Sequence, residues 1–453
     1  MTLAERLAAF TGALRFDALP ADVLASARLH ILDVFGLALA ASTYDFAAAV
    51  AAVAEAPGPC SILGGTRTAT PSAAALVNGT LAHGLDFDDT HAASITHASA
   101  VIVPAALAVA ERDGISGRDL LTAVVAGYEA IARLGMAAPG AFHARGWHAT
   151  PVCGAFAAAL TAGKLMGLDA PRLTHALGIV GSFASGLMEF LEDGSGVKRV
   201  HAGWAAHAGV LAATMAAGGL TGPATILEGR FGFYPTFLGT APAADVFATL
   251  GTRWETLRIG FKPYPCCHYL HAYIDCALRL RREQRVEPDS IVAVECRVPA
   301  AELPIVCEPR AVKLRPRTTY EAQFSLPFAV AAAFLDGRVG LATFTAARLQ
   351  DPRLLALADR IQHVVDPASE FPNGFPGWVR VRLADARVVE VREPDGRGGS
   401  ARPLPPAAIV EKYRENAGRV LSASRRDELE QAVLALDGAP SIRKVVALAT
   451  MRP

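Results

Sequence analysis

From Leu19-Pro20 onward the apolar residues Leu24, Ala27, Ile31, Phe35 and Ala38 recur at helical spacing, with Pro20 suited to a first turn. That spacing predicts a buried helix. Ala/Leu/Val-rich segments of the same kind recur to about residue 250, broken at Ala138-Pro139-Gly140 and at Gly218-Gly219-Leu220-Thr221-Gly222-Pro223. The period then changes to two: Val292, Val294, Cys296 and Val298 alternate with Ala293, Glu295 and Arg297, and Val379, Val381 and Leu383 with Arg380 and Arg382. The second run turns at Ala384-Asp385-Ala386 and resumes with Val389 and Val391, as a hairpin with one solvated face would. Helical spacing returns at Ile409, Tyr413, Ala417 and Val420, and a further helix follows with Ser424 as its expected N-cap. The predicted fold is an all-helical domain built from both chain ends, residues 1–258 and 400–453, with an inserted α+β lid domain at 259–399 carrying an antiparallel sheet.

Composition narrows the class. Of 453 residues, 52% are apolar and only 19% charged, which excludes a largely disordered chain and leaves apolar surface for a subunit contact, expected to be a homodimer. Forty-three basic and forty-three acidic side chains cancel, so no global field draws in nucleic acid or an anionic membrane. Apolar runs such as Ala100 to Ala110 stop short of the roughly 18 residues a membrane span needs, and the opening Met1-Thr2-Leu3-Ala4-Glu5-Arg6 lacks a signal-peptide pattern. A cytoplasmic enzyme is expected. Seven cysteines without a CxxC pair read as reduced thiols.

Four polar clusters interrupt the apolar background. The first is His83-Gly84-Leu85-Asp86-Phe87-Asp88-Asp89-Thr90-His91, followed by Ser94, Thr96 and His97. Three carboxylates in four residues repel, so burial would raise at least one of their pKa values and leave an acid or base; alternatively they cap the next helix. The second, Phe142-His143-Ala144-Arg145-Gly146-Trp147-His148, precedes an apolar helix whose N-terminus favours an anion, although a single His148 is also an ordinary core residue. The third, Gly194-Ser195-Gly196-Val197-Lys198, carries one of only six lysines into a helix and matches no phosphate-loop spacing. The fourth is Lys262-Pro263-Tyr264-Pro265-Cys266-Cys267-His268-Tyr269-Leu270-His271, whose adjacent cysteines are poorly spaced for one tetrahedral zinc.

These motifs resemble the MmgE/PrpD family. The run Leu85 to His97, Arg145-Gly146-Trp147-His148-Ala149-Thr150, Lys198 to Gly203, and Lys262-Pro263-Tyr264-Pro265-Cys266-Cys267 to Asp275 occur in its order. So do Glu321-Ala322-Gln323-Phe324-Ser325-Leu326-Pro327 and the stretch from Arg402-Pro403-Leu404 to Lys412. The resemblance implies a lyase (dehydratase or decarboxylase) or epimerase acting on a small di- or tricarboxylate, with no cofactor and no metal, by proton transfer at a carbon beside a carboxylate. It implies catalytic roles for His97, His148, Lys198 and Asp86, with Asp86 setting histidine tautomer and orientation. Thr90, Lys262, Cys267 and His271 would bind substrate. His201 and His268 receive less direct roles. The chain departs from the family pattern at Cys267, where relatives have histidine, at Phe328, where they have tyrosine, and at Ala98, where His-Pro-Ser is common. Two other readings stay open: a metal-dependent hydrolase using Asp86, Asp88, Asp89 and the histidines, and a noncatalytic binding protein that keeps the fold.

Overall fold

The computed structural model describes residues 1–369 and 374–451. The chain divides into two compact units. The first comprises Met1–Glu189, Val197–Phe261 and the chain from Pro405 on; the second comprises Phe190–Gly196 and Lys262–Leu404.

The first unit is helical. Its main elements are α1 (Ala21–Ala41), α2 (Pro71–His83), α3 (Ser99–Asp113), α4 (Gly117–Met136), α5 (Ala149–Leu165), α6 (Lys198–Ala217) and α7 (Pro406–Ala417). Leu24, Ala27, Ile31, Phe35 and Ala38 are all buried, as their spacing requires. α7, from the far end of the sequence, packs on α1, so the chain ends close one core. α6 lies against both α2 and α5, and small residues allow that approach: a Cβ on Gly79 of α2 would sit 2.7 Å from Gly203 Cα of α6. This contact sets the end of α2, where His83 sits, against the start of α6, where Lys198 sits. α1 is long and apolar enough to cross a membrane by length and composition, and 78% of its apolar window is buried inside the protein. Arg28, His30 and Asp33 interrupt its apolar run, and it serves as a core helix of the first unit.

The second unit is α+β. Its sheet has strands β1 (Ile291–Val298), β2 (Ile361–Val365), β3 (Gly377–Leu383) and β4 (Val388–Glu393) in the order β2-β1-β3-β4. The three central and hairpin strands pair antiparallel, Val381 facing Val389 and Val379 facing Val391, while β2 adds to the edge in parallel. A parallel neighbour needs a crossover, here supplied by the helical segments between Leu303 and Ala358. Helix His271–Glu283 packs on β3 and β4 and on helix Leu326–Asp336.

Two sequence expectations need correction. Val292 faces solvent at 41% exposure, and Ile291 takes its place in the core, because a register shift between Ile291 and Ala293 inverts the alternation at that end of β1. The late helix, Ala423–Leu434, is capped by Ser422, whose Oγ accepts from the Arg425 amide, and not by Ser424, which lies inside its first turn. All seven cysteines are free and buried.

Gly203→Val tests the helix crossing. The new side chain would meet the Leu76 carbonyl and Thr80, so unfolding should become easier by about 1–3 kcal/mol, read as a lower urea midpoint with unchanged slope. An unchanged midpoint would show that the crossing tolerates a side chain.

Candidate active site

The loop from His83 to Thr90 is tied to partners elsewhere in the first unit through Asp86, the Phe87 carbonyl and Asp89. α2 ends at His83, and the chain then turns through Asp86, which adopts φ +51°, a left-handed conformation uncommon for a residue with a Cβ. Thr90-His91 pairs antiparallel with Ile259-Gly260 and anchors the far side of the loop. His91 is structural: its Nδ1 lies 2.8 Å from Ser94 Oγ and its Nε2 3.2 Å from Glu255.

The three carboxylates are all buried and do three different things. Asp89 caps α3, accepting from the Ser99 amide at 3.0 Å and from the Ser99 hydroxyl, with His30 Nδ1 2.8 Å away. Burial opposes its charge, but His30 and Ser99 prevail and hold its carboxyl below the ordinary range. Asp88 lies 2.7 Å from His83 Nδ1 and 3.5 Å from His97 Nδ1. Asp86 accepts from Lys198 Nζ at 3.1 Å. The carboxylate that orients the His83 ring is therefore Asp88, whereas Asp86, expected to fix histidine tautomers, receives the lysine.

Hydrogen bonding assigns protons on two rings. His97 Nδ1 is 2.8 Å from the Asp89 carbonyl, which only accepts, so Nδ1 carries the proton and Nε2 is the basic nitrogen. The His97 amide donates to Thr150 Oγ1 at 3.0 Å, fixing the backbone of that residue to α5. His83 donates from Nδ1 to Asp88 by the same logic, and its buried Nε2 has no hydrogen-bond partner among the described residues.

His148 stands at the N-cap of α5, its Nδ1 3.0 Å from His201 Nδ1. Two facing nitrogens at that distance share one proton, so the tautomers of His148 and His201 are coupled. Burial first, then His201, Lys198 and the neighbouring histidines, push the His148 pKa well below its ordinary value. The His83, His97 and His148 rings are 4.8 to 6.0 Å apart by centroid. Lys198 is the first residue of α6, where the helix N-terminus adds positive potential of its own. The Thr90 hydroxyl is buried without a hydrogen-bond partner among the described residues. Thus His97, His148, Lys198, Asp86 and Thr90 all belong to this loop and helix-terminus constellation.

Lys262, Cys267 and His271 belong to the second unit. Lys262 is fully buried and donates to the Cys266 carbonyl at 3.1 Å, and His271 Nε2 is 3.3 Å from the same oxygen. The Cys267 amide donates to the Gln323 carbonyl at 2.9 Å. Tyr264 donates to Asp275 at 2.6 Å, and Arg397 closes on both. Phe328 is buried in helix Leu326–Asp336 against Phe344, and Ala98 is buried just before α3. In the glycine loop the Ser195 amide is taken by Asp193 at 2.8 Å and Gly194 packs on Glu321, so that loop is a packing contact rather than a phosphate cradle.

Linear spacing shows no metal motif, yet the fold assembles two groups that could hold an ion: His83, His97 and His148, and Asp86, Asp88 and His97, each with its candidate ligand atoms within 4.8 Å of one another. The residues the motifs left without a role, His83, Asp88 and His201, had a signal. His83 and Asp88 are close in sequence, and His201 is one helical turn from Lys198, hence on the same face.

Two family models match the chain in order, the MmgE/PrpD N-terminal domain over residues 5–245 and the MmgE/PrpD C-terminal domain over residues 264–438. The chain belongs to the MmgE/PrpD family. It is similar to a cis-aconitate decarboxylase of Aspergillus terreus, 31% identical over 95% of this chain and 92% of that protein. A cis-aconitate decarboxylase-like protein of Aspergillus oryzae is 30% identical over 95% and 93%. The human cis-aconitate decarboxylase is 29% identical over 81% of this chain and 77% of its own.

Burial also sets an acid limit. It lowers His143 to about 4, with Lys198 adding to the effect, and His201 to about 3, with His83 and Lys198 adding. Unfolded histidines titrate near pH 6.5, so the unfolded chain binds more protons between that pH and the folded values; the stability is present above about 6.5 and lost as pH falls. The melting temperature should drop between pH 6.5 and 4, and His143→Phe should make that drop shallower. Parallel curves for the two proteins would contradict the assignment.

Proposed function

We propose that this protein is a lyase of the decarboxylase or dehydratase type that moves a proton at a carbon beside a carboxylate of a small tricarboxylate or dicarboxylate. The observation that carries the reading is the convergence of Lys198, at the N-terminus of α6, with buried histidines oriented by the Asp88 carboxylate and the Asp89 carbonyl in one loop constellation. The cis-aconitate decarboxylases to which the chain is similar over nearly its full length support that substrate class and make cis-aconitate the first compound to test.

Each side chain has a physical task. Lys198 and the α6 N-terminus hold a substrate carboxylate and offset the charge that builds on an enediolate-like transition state, displacing part of the lysine's hold on Asp86. His97 presents Nε2 as a base because Asp89 fixes the proton on Nδ1. Burial, with Lys198 and the neighbouring histidines adding to it, holds the His148 pKa well below its ordinary value, so the ring is neutral near pH 7 without substrate. A polycarboxylate brings the opposite charge and raises the ring's proton affinity, so His148 is a base before binding and becomes a proton carrier with substrate in place. The buried Thr90 hydroxyl is positioned to donate to a substrate oxygen. The three-histidine group and the Asp86, Asp88 and His97 group, either of which could hold an ion, favour a second reading, in which a divalent metal held there would supply Lewis-acid polarisation of the substrate.

Lys198→Ala, His97→Ala and His148→Ala should each lower kcat/KM by about a hundredfold or more on cis-aconitate or on whichever polycarboxylate is turned over, with circular dichroism unchanged. Near wild-type activity in both Lys198→Ala and His148→Ala would overturn the assignment. Under the proton-transfer reading chelator-treated protein keeps its activity; loss that only added metal restores would favour the second. Calorimetry of tricarboxylate binding in two buffers of different ionisation enthalpy should show net proton uptake, and buffer-independent heats would remove the role given to His148.

A further inference from the structure

Helix His271–Glu283 and the Gly337 turn that ends helix Leu326–Asp336 border a surface cavity of about 520 Å³ in the second unit. Arg281, Arg282, Arg338 and Arg397 line it, and among the described residues no carboxylate does. The acidic groups nearby do not cancel this charge. Arg397 is held by Asp275 at 2.9 Å, and exposed Arg282 lies 2.8 Å from Glu283, which Arg279 also engages. Asp336 is taken by Arg348 at 2.8 Å. Arg281 donates to the Phe334 carbonyl and, at 2.6 Å, to the Leu335 carbonyl, so its donors meet helix-end dipoles rather than a full negative charge. Among the described residues neither Arg281 nor exposed Arg338 forms an ion pair. At least two guanidinium charges therefore face the cavity unbalanced.

Scattered surface arginines are usually solvated and do nothing. These differ in being concave and partly rigid: Leu278 and Val339 supply apolar wall, and Arg281 and Arg397 are pinned by the hydrogen bonds just described. Planar forks held in place lose little freedom when they meet phosphate or carboxylate oxygens. We propose that this cavity is a binding site for a small polyanion carrying two or more phosphate or carboxylate groups. Through Arg397 the occupant would touch the Tyr264–Asp275 clamp that holds the segment bearing Lys262 and His271, so binding there would couple to that segment. Arg397 is in this sense a positioning residue.

The test is calorimetric titration of the full chain with two probes, inorganic pyrophosphate and citrate, in the wild type, in Arg282→Ala/Arg338→Ala and in Lys198→Ala. Both arginines are exposed, so the double variant should fold as the wild type does. The expected result is a site for at least one probe that survives Lys198→Ala and weakens about tenfold or more in the double variant. Binding of pyrophosphate alone would identify a phosphate ligand, and of citrate alone a carboxylate one. Equal affinity in wild type and double variant for both probes, or no binding by either, would overturn the proposal.

Discussion

Burying Asp86, Asp88 and Asp89 within four residues is the constraint on which the rest of the first unit depends. Three adjacent carboxylates cannot leave water without positive or donating partners, and none of those partners is supplied by the loop alone. Lys198 comes from α6, His83 from the end of α2, His30 from α1 and Ser99 from the start of α3. Lys412 of α7 completes the set, reaching Asp33 at 2.9 Å and the Phe87 carbonyl at 2.7 Å. Burial pushes Asp33 up and Lys412 down, each toward its neutral form, and their contact opposes both shifts. Five helices distant in sequence must therefore come to one point, and the histidines and lysine of the candidate site meet there.

This explains why neighbouring carboxylates have different uses. Asp89 stabilises a helix start, Asp88 aligns imidazoles, and Asp86 holds a lysine. Paired with nothing, Lys198 would suffer repulsion from the helix dipole at its own N-terminus. Paired with Asp86, it is held in place. The same economy appears in the second unit, where Asp275 fixes Tyr264 and Arg397 around the segment from Lys262 to His271.

How much of this was legible in the sequence depended on the range of each interaction. The 3.6-residue pattern located α1 because its core face is continuous, and the period of two located β1 and β3. Parity failed at Val292 because a bulge inserts one residue without leaving a compositional mark. The parallel edge strand Ile361–Val365 is five residues long and alternates poorly, and it was invisible for that reason. The motif resemblance picked out Lys198, His97 and His148, but the partners of Asp86 and Asp88 required knowing that residues 86 and 198, or 33 and 412, come together. No local pattern encodes such contacts.

The most direct test of the account follows the proton itself. Incubation of the protein with cis-aconitate, and in parallel with other C4 to C7 polycarboxylates, in deuterium oxide would be followed by proton and carbon NMR. The account predicts stereospecific incorporation of solvent deuterium at one carbon beside a carboxylate, in product or recovered substrate, and its loss in His148→Ala. Turnover without deuterium at such a carbon, or no turnover and no exchange with any of these acids, would contradict it.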